Sequence, residues 1–409
     1  MSDTWIYDAI ADRLGGTRFE QNLGYKFEQI KQAKRDFLTQ NPHRKLLDFG
    51  VGEPLDVPPQ EVVKTLQTTC GLLEYNGYAD NGADFFKESV QRYMQKTLDV
   101  TLDKDEILPI LGIKSGLALL AGTLINPGDW SAYTTPGYGV FATQTRYFGG
   151  NTYALSLTPE RQFLPDLEAI PEEIKRKIKV LSLNYPNNPT GSVATKAFYE
   201  HVVEMALRYH WIVLQDAAYT ALSFEEPLSI LQISQAKTCC IELHSMSKGF
   251  NMTGWRLGWL CGNKTIVKAC GIYKNNCDSG QFLAIQKAAC VGLDNADTWL
   301  PQLRKKYKER LERLMNILAQ NDFQCYAPSA GFFLYVASPK SVSKKAEGST
   351  IHFENAQAFS HWMLNELGIV VVPWDDFGAY VRFSVTFGNA DEIAYFSELQ
   401  ERLSPFIFK

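Results

Sequence analysis

Short apolar runs alternate with helical patterns through the middle of the chain. The runs KVLSLNYP (179–186) and WIVLQDAAY (211–219) predict buried strands, and TKAFYEHVVEMALRYH (195–210) between them predicts a helix with Thr195 as its N-cap. Two more apolar runs follow, TCCIELHSMSK (238–248) and RLGWLCG (256–262). Strands that are apolar on both faces and separated by helices are typical of a parallel sheet covered on both sides. The pattern therefore predicts an α/β domain over residues 49–295.

The pattern changes beyond that domain. DTWLPQLRKKYKERLERLMNILAQ (297–320) has apolar residues at helical spacing and is long enough to bridge two domains. The strand-like runs GFFLYVA (331–337) and AYVRFSVTF (379–387) follow, and the polar stretch SPKSVSKKAEGST (338–350) predicts a loop between them. These elements predict a smaller α+β domain over residues 296–409. Residues 1–48 lack a sheet pattern, and we expect them to pack against that domain or on a partner chain.

Composition excludes several classes of protein. The chain has 409 residues, 45% of them hydrophobic, and its net charge of -4 gives no electrostatic case for binding nucleic acid or an anionic membrane. The N-terminus lacks the order of charges and apolar residues found in a signal peptide, and the longest apolar run, LALLAGTLI (117–125), is too short to span a bilayer. The eight cysteines form no C-x-x-C pair and the six histidines no H-x-x-x-H pair. We therefore expect a cytoplasmic protein with reduced thiols and no metal site.

Polar residues stand at consecutive ends of the predicted strands. Asn188 follows the first of these strands, and Asp216 and Tyr219 close the second. Lys248 ends the third predicted strand, and Arg256 begins the fourth. Because ligands of open parallel sheets bind outside the carboxyl ends of the strands, we expect these side chains to surround one site.

The segment HSMSKGFNMTGWRLGW (244–259) places two cations close together. Arg256 follows Lys248 by eight residues, and the hydroxyls of Ser245 and Ser247 precede the lysine. Two cations repel each other unless an anion lies between them or unless one of them is uncharged. The spacing therefore indicates a site for an anion beside a lysine with an unusual chemical role.

With these motifs, the chain resembles the class I/II aminotransferases, which are pyridoxal-phosphate (PLP) enzymes of fold type I. The resemblance extends over nearly the full length. It implies a large PLP-binding α/β domain with a mainly parallel sheet, a smaller α+β domain and PLP as the cofactor. It rests on DFGVGEP (48–54), YNGYADNG (75–82), LGIKSG (111–116), TPGYGV (135–140), NYPNNPTG (184–191), QDAAY (215–219), SMSKGFNMTGWRLGW (245–259) and AYVRFSVTF (379–387).

The resemblance implies which residues hold the reactive end and the phosphate of PLP. Lys248 would bond to the cofactor aldehyde and, once displaced by the substrate amine, move a proton as a general acid and base. Arg256 would hold two phosphate oxygens with its planar guanidinium, and Ser245 would add a hydroxyl donor. Backbone amides at the start of a predicted helix would complete the phosphate site. These amides belong to Gly112, Ile113 and Lys114.

The resemblance also implies partners for the cofactor ring. Asp216 would pair with the pyridine nitrogen and keep it protonated, so that the ring accepts electrons. Asn188 and Tyr219 would hydrogen-bond the phenolic oxygen. Tyr138, in TPGYGV, would stack on the face of the ring.

The remaining matches concern the substrate and the neighbouring subunit. Arg382, in VRFSV, would bind the substrate α-carboxylate, and Gly52 would let the backbone approach it. Tyr78 would reach the phosphate of the neighbouring subunit, with Tyr75 as a rival, and such a contact implies a homodimer. Tyr25 matches a tyrosine that a subgroup of the family carries in its N-terminal segment.

That subgroup is the LL-diaminopimelate aminotransferases. The resemblance to it implies transamination of LL-diaminopimelate with 2-oxoglutarate in lysine biosynthesis, with Tyr25 and Lys114 near the substrate or phosphate. One departure bears on the substrate: Leu111 stands where the subgroup has an aspartate. The pieces that carry this finer resemblance are YKFEQIKQAKR (25–35), GYADNG (77–82), NYPNNPTGSVATK (184–196), SKGFNMTGWRLGW (247–259) and VPWDDFGAYVRFSVTF (372–387).

Other functions share the same motifs. An aminotransferase for aspartate, alanine or an aromatic amino acid would use every cofactor residue named above, and so would a PLP-dependent β-lyase. A PLP-binding transcriptional regulator would need an N-terminal DNA-binding domain. Residues 1–48 are too few for one, and they contain no basic patch.

Overall fold

A computed structural model of the chain describes residues 4–21, 26–346, 349–388 and 392–409. In chain order, its strands are β1 Leu47–Asp48, β2 Ile107–Ile110, β3 Trp130–Thr135, β4 Asn151–Ser156, β5 Ile178–Asn184, β6 Ile212–Asp216, β7 Cys240–Ser245, β8 Gly258–Gly262, β9 Cys325–Tyr326, β10 Phe333–Ala337, β11 Ser341–Lys344, β12 Thr350–His352, β13 Ile369–Val370, β14 Val372–Trp374, β15 Tyr380–Ser384 and β16 Phe406–Phe408. Its α-helices are α1 Thr4–Asp8, α2 Lys26–Gln40, α3 Gln60–Thr69, α4 Asp84–Leu98, α5 Ile113–Leu124, α6 Val140–Tyr147, α7 Glu172–Lys175, α8 Lys196–Tyr209, α9 Met246–Gly249, α10 Lys264–Lys274, α11 Leu283–Asp294, α12 Ala296–Ala319, α13 Ala356–Leu367 and α14 Glu392–Leu403. Among the helices within these ranges, none combines the length and the apolar character needed to cross a membrane.

The central sheet has the strand order β2-β8-β7-β6-β5-β3-β4 in the described part of the chain. Its strands β7, β6, β5, β3 and β4 run parallel to one another, whereas β8 runs antiparallel to both β7 and β2. Successive residues of one strand face opposite sides of a sheet, so Val180 packs into one apolar core and Leu181 into the other. Val213 and Leu214 alternate in the same way on β6. The sheet is therefore covered on both faces, which confirms the α/β prediction for this part.

The predicted helix between the first two strands is also confirmed. Helix α8 begins at Lys196 and ends at Tyr209. The side chain of Thr195 accepts a hydrogen bond from the backbone amide of Phe198, 3.1 Å away, and so satisfies a first-turn donor as an N-cap should.

Two predictions about the Lys248 region were wrong in their local detail. Strand β7 ends at Ser245, and Lys248 lies in the short helix α9 that follows. Arg256 does not begin β8, which starts at Gly258; it lies in the preceding turn with a φ of 55°. Because β8 is antiparallel to β7, the turn before β8 lies at the same edge of the sheet as the end of β7. Lys248 and Arg256 therefore still reach one site.

The C-terminal part forms a smaller α+β unit. Its antiparallel sheet has the order β14-β15-β10-β9, and helix α12 connects it to the large unit. Leu300, near the start of α12, packs in the core of the large unit, whereas Leu303 and Leu318 pack in the core of the small one. The helix thus contributes to both cores, as its length predicted.

The polar stretch 338–350 is not simply a loop. Ser341–Lys344 form strand β11, which pairs with β12 and with the C-terminal strand β16. The prediction of a loop was wrong because β16 satisfies the backbone of this polar strand from more than fifty residues away in the sequence.

The N-terminal part contacts the small unit in two places. Strand β1 pairs in parallel with β13, with Leu47 opposite Ile369, although residues 1–48 showed no sheet pattern. Phe37 of α2 belongs to a small apolar cluster with Leu364 of α13. These contacts agree with packing against the small unit, while the domain boundaries at residues 48 and 295 stay a prediction.

Candidate active site

A cavity of about 310 Å³ opens at the edge of the central sheet where β5, β6 and β7 end. Most of the residues singled out from the sequence line it. They are Gly52, Ile113, Lys114, Tyr138, Asn188, Asp216, Tyr219, Ser245, Lys248, Arg256 and Arg382. The structure therefore brings together residues that lie up to 330 positions apart in the chain.

Lys248 occupies the floor of this cavity. Its ammonium donates a hydrogen bond to the carbonyl oxygen of Gly52, 2.8 Å away. Burial lowers the pKa of Lys248 to about 8, and the charge of Glu53 opposes this shift. Arg382 and Arg256 lower the pKa further by repulsion. A minor fraction of Lys248 is therefore a neutral amine at neutral pH, and this fraction can act as a nucleophile or a base.

Asp216 is a buried carboxylate at the end of β6. Its side chain is 5% exposed, and its Oδ1 accepts a hydrogen bond from the amide of Ala218 at 3.1 Å. Burial raises the pKa of Asp216 to about 7, although the Ala218 amide and the charge of Lys248 both favour ionisation. A protonated ring nitrogen placed against this carboxylate would restore the ionised form, because an adjacent positive charge lowers the pKa of an acid.

Arg256 is held against the turn that precedes α5. Its Nη1 donates to the carbonyl oxygen of Thr253 at 2.7 Å, and its Nη2 donates to that of Leu111 at 3.3 Å. Gly112 has a φ of 82°, and a Cβ at this position would lie 2.4 Å from Nη2 of Arg256. Only glycine allows both the backbone conformation and the close approach of the guanidinium.

The start of α5 faces the same cavity. The helix begins at Ile113, as expected, and Ile113 and Lys114 line the site. The amide of Gly112 donates to the carbonyl oxygen of Ile110 at 2.8 Å, so this turn already engages one of the three amides predicted for the phosphate. Ser245 Oγ accepts from the amide of Ser247 at 3.0 Å and keeps its own proton for a ligand.

Arg382 lies on β15 and is fully buried. Its Nη1 donates to Oδ1 of Asn188 at 2.9 Å, and its Nη2 donates to the carbonyl oxygen of Gly50 at 3.2 Å. The guanidinium carbon lies 4.0 Å from the ring centroid of Phe333. These contacts fix the planar fork at the cavity, between the two structural units.

The tyrosines predicted for the site differ in their surroundings. Tyr219 is 6% exposed and packs edge-on against Phe332 and Phe333, whereas Tyr138 is half-buried at the cavity wall. Tyr78 does not line the cavity and is 85% exposed. Tyr25 lies outside the described residues.

The comparisons with known proteins agree with this geometry. The family model for aminotransferase class I and II matches residues 44–398. The chain belongs to this family. The LL-diaminopimelate aminotransferase of Methanocaldococcus jannaschii is 44% identical over 394 residues, which cover 95% of this chain and 93% of that protein. The enzyme of the same name from Methanococcus maripaludis is 41% identical, over 94% of this chain and 92% of that protein.

A solved structure of substrate-bound BacF from Bacillus subtilis superposes with a TM-score of 0.86. It is 28% identical, and the match covers 95% of this chain and 96% of that one. The fold is that of the type I PLP-dependent aminotransferases, with a large, mainly parallel sheet and a smaller α+β unit. The chain is a PLP-dependent aminotransferase.

The residues at the cavity fit PLP. The buried carboxylate of Asp216 suits a protonated ring nitrogen, and the amine of Lys248 suits an aldehyde. Arg256, Ser245 and the start of α5 offer charged, hydroxyl and amide donors to one phosphate.

The sequence reasoning missed several residues of this aminotransferase site. Asn184 lies within the NYPNNPTG motif and donates to the carbonyl oxygen of Asp216 at 3.0 Å, so the motif itself held the signal. Glu53 directly follows Gly52 in DFGVGEP. Lys31 lies within YKFEQIKQAKR (25–35), but its side chain was not singled out, because it looks like any polar residue on the surface of a helix. Ala218 and Thr253 also line the cavity, as does Ser247, which the sequence placed beside Lys248 without a role.

Proposed function

We propose that this aminotransferase exchanges the amino group between LL-diaminopimelate and 2-oxoglutarate, in lysine and diaminopimelate biosynthesis. One observation supports the reaction type: a single cavity contains Lys248, whose pKa is lowered, the buried Asp216 and two arginines. The named activity of the two relatives, at 44% and 41% identity over more than nine-tenths of both chains, supports the choice of substrate.

Each residue has a separate task in this proposal. PLP, when bound, supplies an aldehyde that accepts the amino group and a ring that withdraws electrons from the substrate Cα. Lys248 would take the proton from the substrate Cα and pass it to the cofactor carbon that carried the aldehyde, since its amine is neutral in part near pH 7. Arg382 binds the α-carboxylate with its fork and so fixes the Cα within reach of Lys248. Asp216 stabilises the positive charge at the ring nitrogen.

A second group of residues would hold the cofactor phosphate. They are Arg256 and Ser245 with the first-turn amides of α5, at Ile113 and Lys114. Tyr138 would stack on the ring, and Asn188 and Tyr219 would bind its phenolic oxygen. The burial of Asn188 and Tyr219 supports this arrangement, because a hydrogen bond to an oxygen in a dry site is strong.

The substrate proposal is tested with purified enzyme, 2-oxoglutarate and a panel of amino donors. We expect LL-diaminopimelate to give a higher kcat/KM than alanine, aspartate or an aromatic amino acid, because a site with partners for a second charged head rejects donors that leave those partners unpaired. Glutamate formation is the measurement, and pyruvate formation is measured beside it as the sign of a β-lyase. Turnover of aspartate or an aromatic amino acid with none of LL-diaminopimelate would refute the substrate and leave the aminotransferase activity standing.

We also propose that the enzyme is a cytoplasmic homodimer. Tyr78 lies in a loop that two hydrogen bonds hold in place. The amide of Ala79 donates to the carbonyl oxygen of Ser279 at 3.2 Å, and the buried Lys274 donates to the carbonyl oxygen of Asp80 at 3.2 Å. A rigid loop with an exposed aromatic residue at its tip suits insertion into a second copy. Tyr25, from the N-terminal segment, is proposed to reach the substrate in the neighbouring subunit.

Tyr75 makes a less suitable cross-subunit contact than Tyr78. Its ring packs edge-on against Phe85, 6.2 Å between centroids, within its own chain. We expect Tyr78→Phe to weaken PLP binding about ten- to a hundredfold, the usual cost of a lost hydrogen bond to a charged group. Tyr75→Phe is the matched control and should leave the affinity unchanged. The measurement is the dissociation constant of the apoenzyme for PLP, and a reversed result would assign the phosphate contact to Tyr75.

The cytoplasmic location rests on the cysteines. All eight lie in the described residues, and each is a free thiol. Proteins that fold in an oxidising compartment tend instead to pair their cysteines in disulfides.

A further inference from the structure

Two oppositely charged side chains at the cavity have no task in the proposed reaction. They are Lys31, on helix α2, and Glu53, which directly follows Gly52. Arg256 is assigned to the phosphate, Arg382 to the α-carboxylate and Asp216 to the ring nitrogen. Besides the ammonium of Lys114, which the resemblance places near the substrate or phosphate, one positive and one negative group therefore remain at the wall of the same cavity.

The carboxylate of Glu53 is available to a ligand. It makes no hydrogen bond and no ion pair with any residue in the described ranges. The carbonyl of the preceding residue, Gly52, accepts the hydrogen bond from Lys248 at 2.8 Å, so the backbone at this point is anchored to the catalytic amine. The negative charge of Glu53 is close enough to raise the pKa of Lys248 against the effect of burial.

The ammonium of Lys31 is held only loosely by its own helix. Its nearest acidic partner is Oε2 of Glu28, 3.6 Å away, and the two side chains are 64% and 59% exposed. Such an exposed pair contributes little to stability, so a bound carboxylate can replace Glu28 as the partner. The helix itself is fixed, because Lys34, one turn later, forms an ion pair with Asp48.

We infer that Lys31 and Glu53 form a distal subsite that recognises the second amino-acid head of the substrate. Lys31 binds the distal carboxylate, and Glu53 binds the distal ammonium. This inference rests on the proposed function, and it names two groups of the same chain as the determinants of selectivity for a donor with two charged heads.

The match of charges favours this reading over a single distal group. A simple dicarboxylic donor would need only the cation, and a diamino donor would need only the anion. A ligand head with a single charge pairs with only one of the two protein groups. The other group still loses its water and gains no partner, so the ligand binds less tightly. A site that offers both signs therefore favours a zwitterionic head.

The test removes one charge from the protein and one from the ligand. The variants are Lys31→Met and Glu53→Gln, each measured with LL-diaminopimelate, with 2-aminopimelate, which lacks the distal ammonium, and with free L-lysine, which lacks the distal carboxylate. For LL-diaminopimelate the measurement is kcat/KM. For 2-aminopimelate and L-lysine, the measurement is the inhibition constant. Calorimetric dissociation constants add a readout that does not depend on turnover.

We expect a crossed pattern. Lys31→Met should weaken the binding of LL-diaminopimelate and of 2-aminopimelate about two- to fivefold, the size that an exposed ion pair allows. The binding of L-lysine should not change. Glu53→Gln should weaken the binding of LL-diaminopimelate and of L-lysine to the same extent. The binding of 2-aminopimelate should not change. Both losses should shrink as salt is added.

Two controls separate recognition from general effects. Arg35→Met removes a positive charge from the same helix, at a residue that bonds to Gln32, contacts Oε1 of Glu28 at 3.5 Å and does not line the cavity. It loosens Glu28 without removing Lys31, and it should change none of these constants. Glu53→Gln also removes a charge that acts on Lys248, so any effect on kcat is shared by all donors. The change in the ratio of the constants for two ligands therefore measures recognition of the distal head.

The outcomes distinguish this inference from the proposed function. If the wild-type enzyme turns over LL-diaminopimelate but each variant affects all three ligands by the same factor, or none of them, the distal subsite is wrong and the proposed function stands. If the wild-type enzyme does not turn over LL-diaminopimelate, both fail together.

Discussion

Lys248→Ala is expected to lower turnover by about four orders of magnitude, the upper part of the range for a lost general acid and base. The lysine has the only amine at the cavity floor among the described residues whose pKa falls to about 8, and no neighbour can take the substrate Cα proton in its place. PLP should still bind, because the phosphate partners and Asp216 are untouched. Steady-state kinetics and the dissociation constant for PLP, measured on the same preparation, check both parts.

Lys248→Arg is the matched control for charge. Arginine keeps the positive charge, but its pKa stays far above neutral pH and it cannot act as a base. We expect this variant to be as inactive as Lys248→Ala, and a small primary amine added to Lys248→Ala should restore part of the rate. Turnover close to wild type in either variant would sink the assignment of Lys248.

Arg256→Ala and Arg382→Ala are expected to impair different steps. Losing a desolvated charge pair costs about 2–5 kcal/mol, or roughly thirty- to several-thousand-fold in affinity, and this range applies to the buried Arg382. Arg256 is exposed, so the loss of its charged hydrogen bonds costs about 1.5–3 kcal/mol, or roughly ten- to a hundredfold. For Arg256 this loss should fall on PLP binding. For Arg382 it should fall on kcat/KM for the amino donor, with the visible spectrum of the resting enzyme unchanged.

Arg382 is fully buried, so its replacement needs a control for folding. Arg382→Lys keeps a positive charge and loses the fork that holds Oδ1 of Asn188 and the carbonyl of Gly50. It should lie between wild type and Arg382→Ala in kcat/KM, with a thermal unfolding midpoint close to wild type. If Arg382→Ala and Arg256→Ala lost PLP equally, the carboxylate role of Arg382 would be wrong.

The sequence predicted the residues of the site better than their local structure. Asn188 and Asp216 were found because a general rule places ligands at the carboxyl ends of parallel strands, and β5 and β6 obey it. Lys248 was assigned to a strand because apolar periodicity does not mark where a strand ends. Ser245 marks it: its hydroxyl accepts from the amide of Ser247 and starts helix α9.

Strand direction and long-range contacts were not predictable in the same way. A buried strand has the same run of apolar residues whether it is parallel or antiparallel to its neighbour. The sequence therefore did not predict that β8 runs antiparallel. Strand β11 depends on β16, which no local pattern near residue 341 reveals. Lys31 reaches the cavity because of how α2 packs, and a polar residue on a helix carries no sign of its destination.

The reversed strand β8 has a consequence for altering this enzyme. Lys248 and Arg256 both lie in the connection between the paired residues Ser245 and Gly258, so one short loop carries the reactive amine and the phosphate-binding cation. Any insertion or deletion there would displace both groups at once and would be lethal to catalysis. Lys31 and Glu53 lie on other segments of the chain. A change of donor preference can therefore be sought by mutagenesis at these two positions while the loop is left intact, which makes reaction and selectivity separable targets for protein engineering.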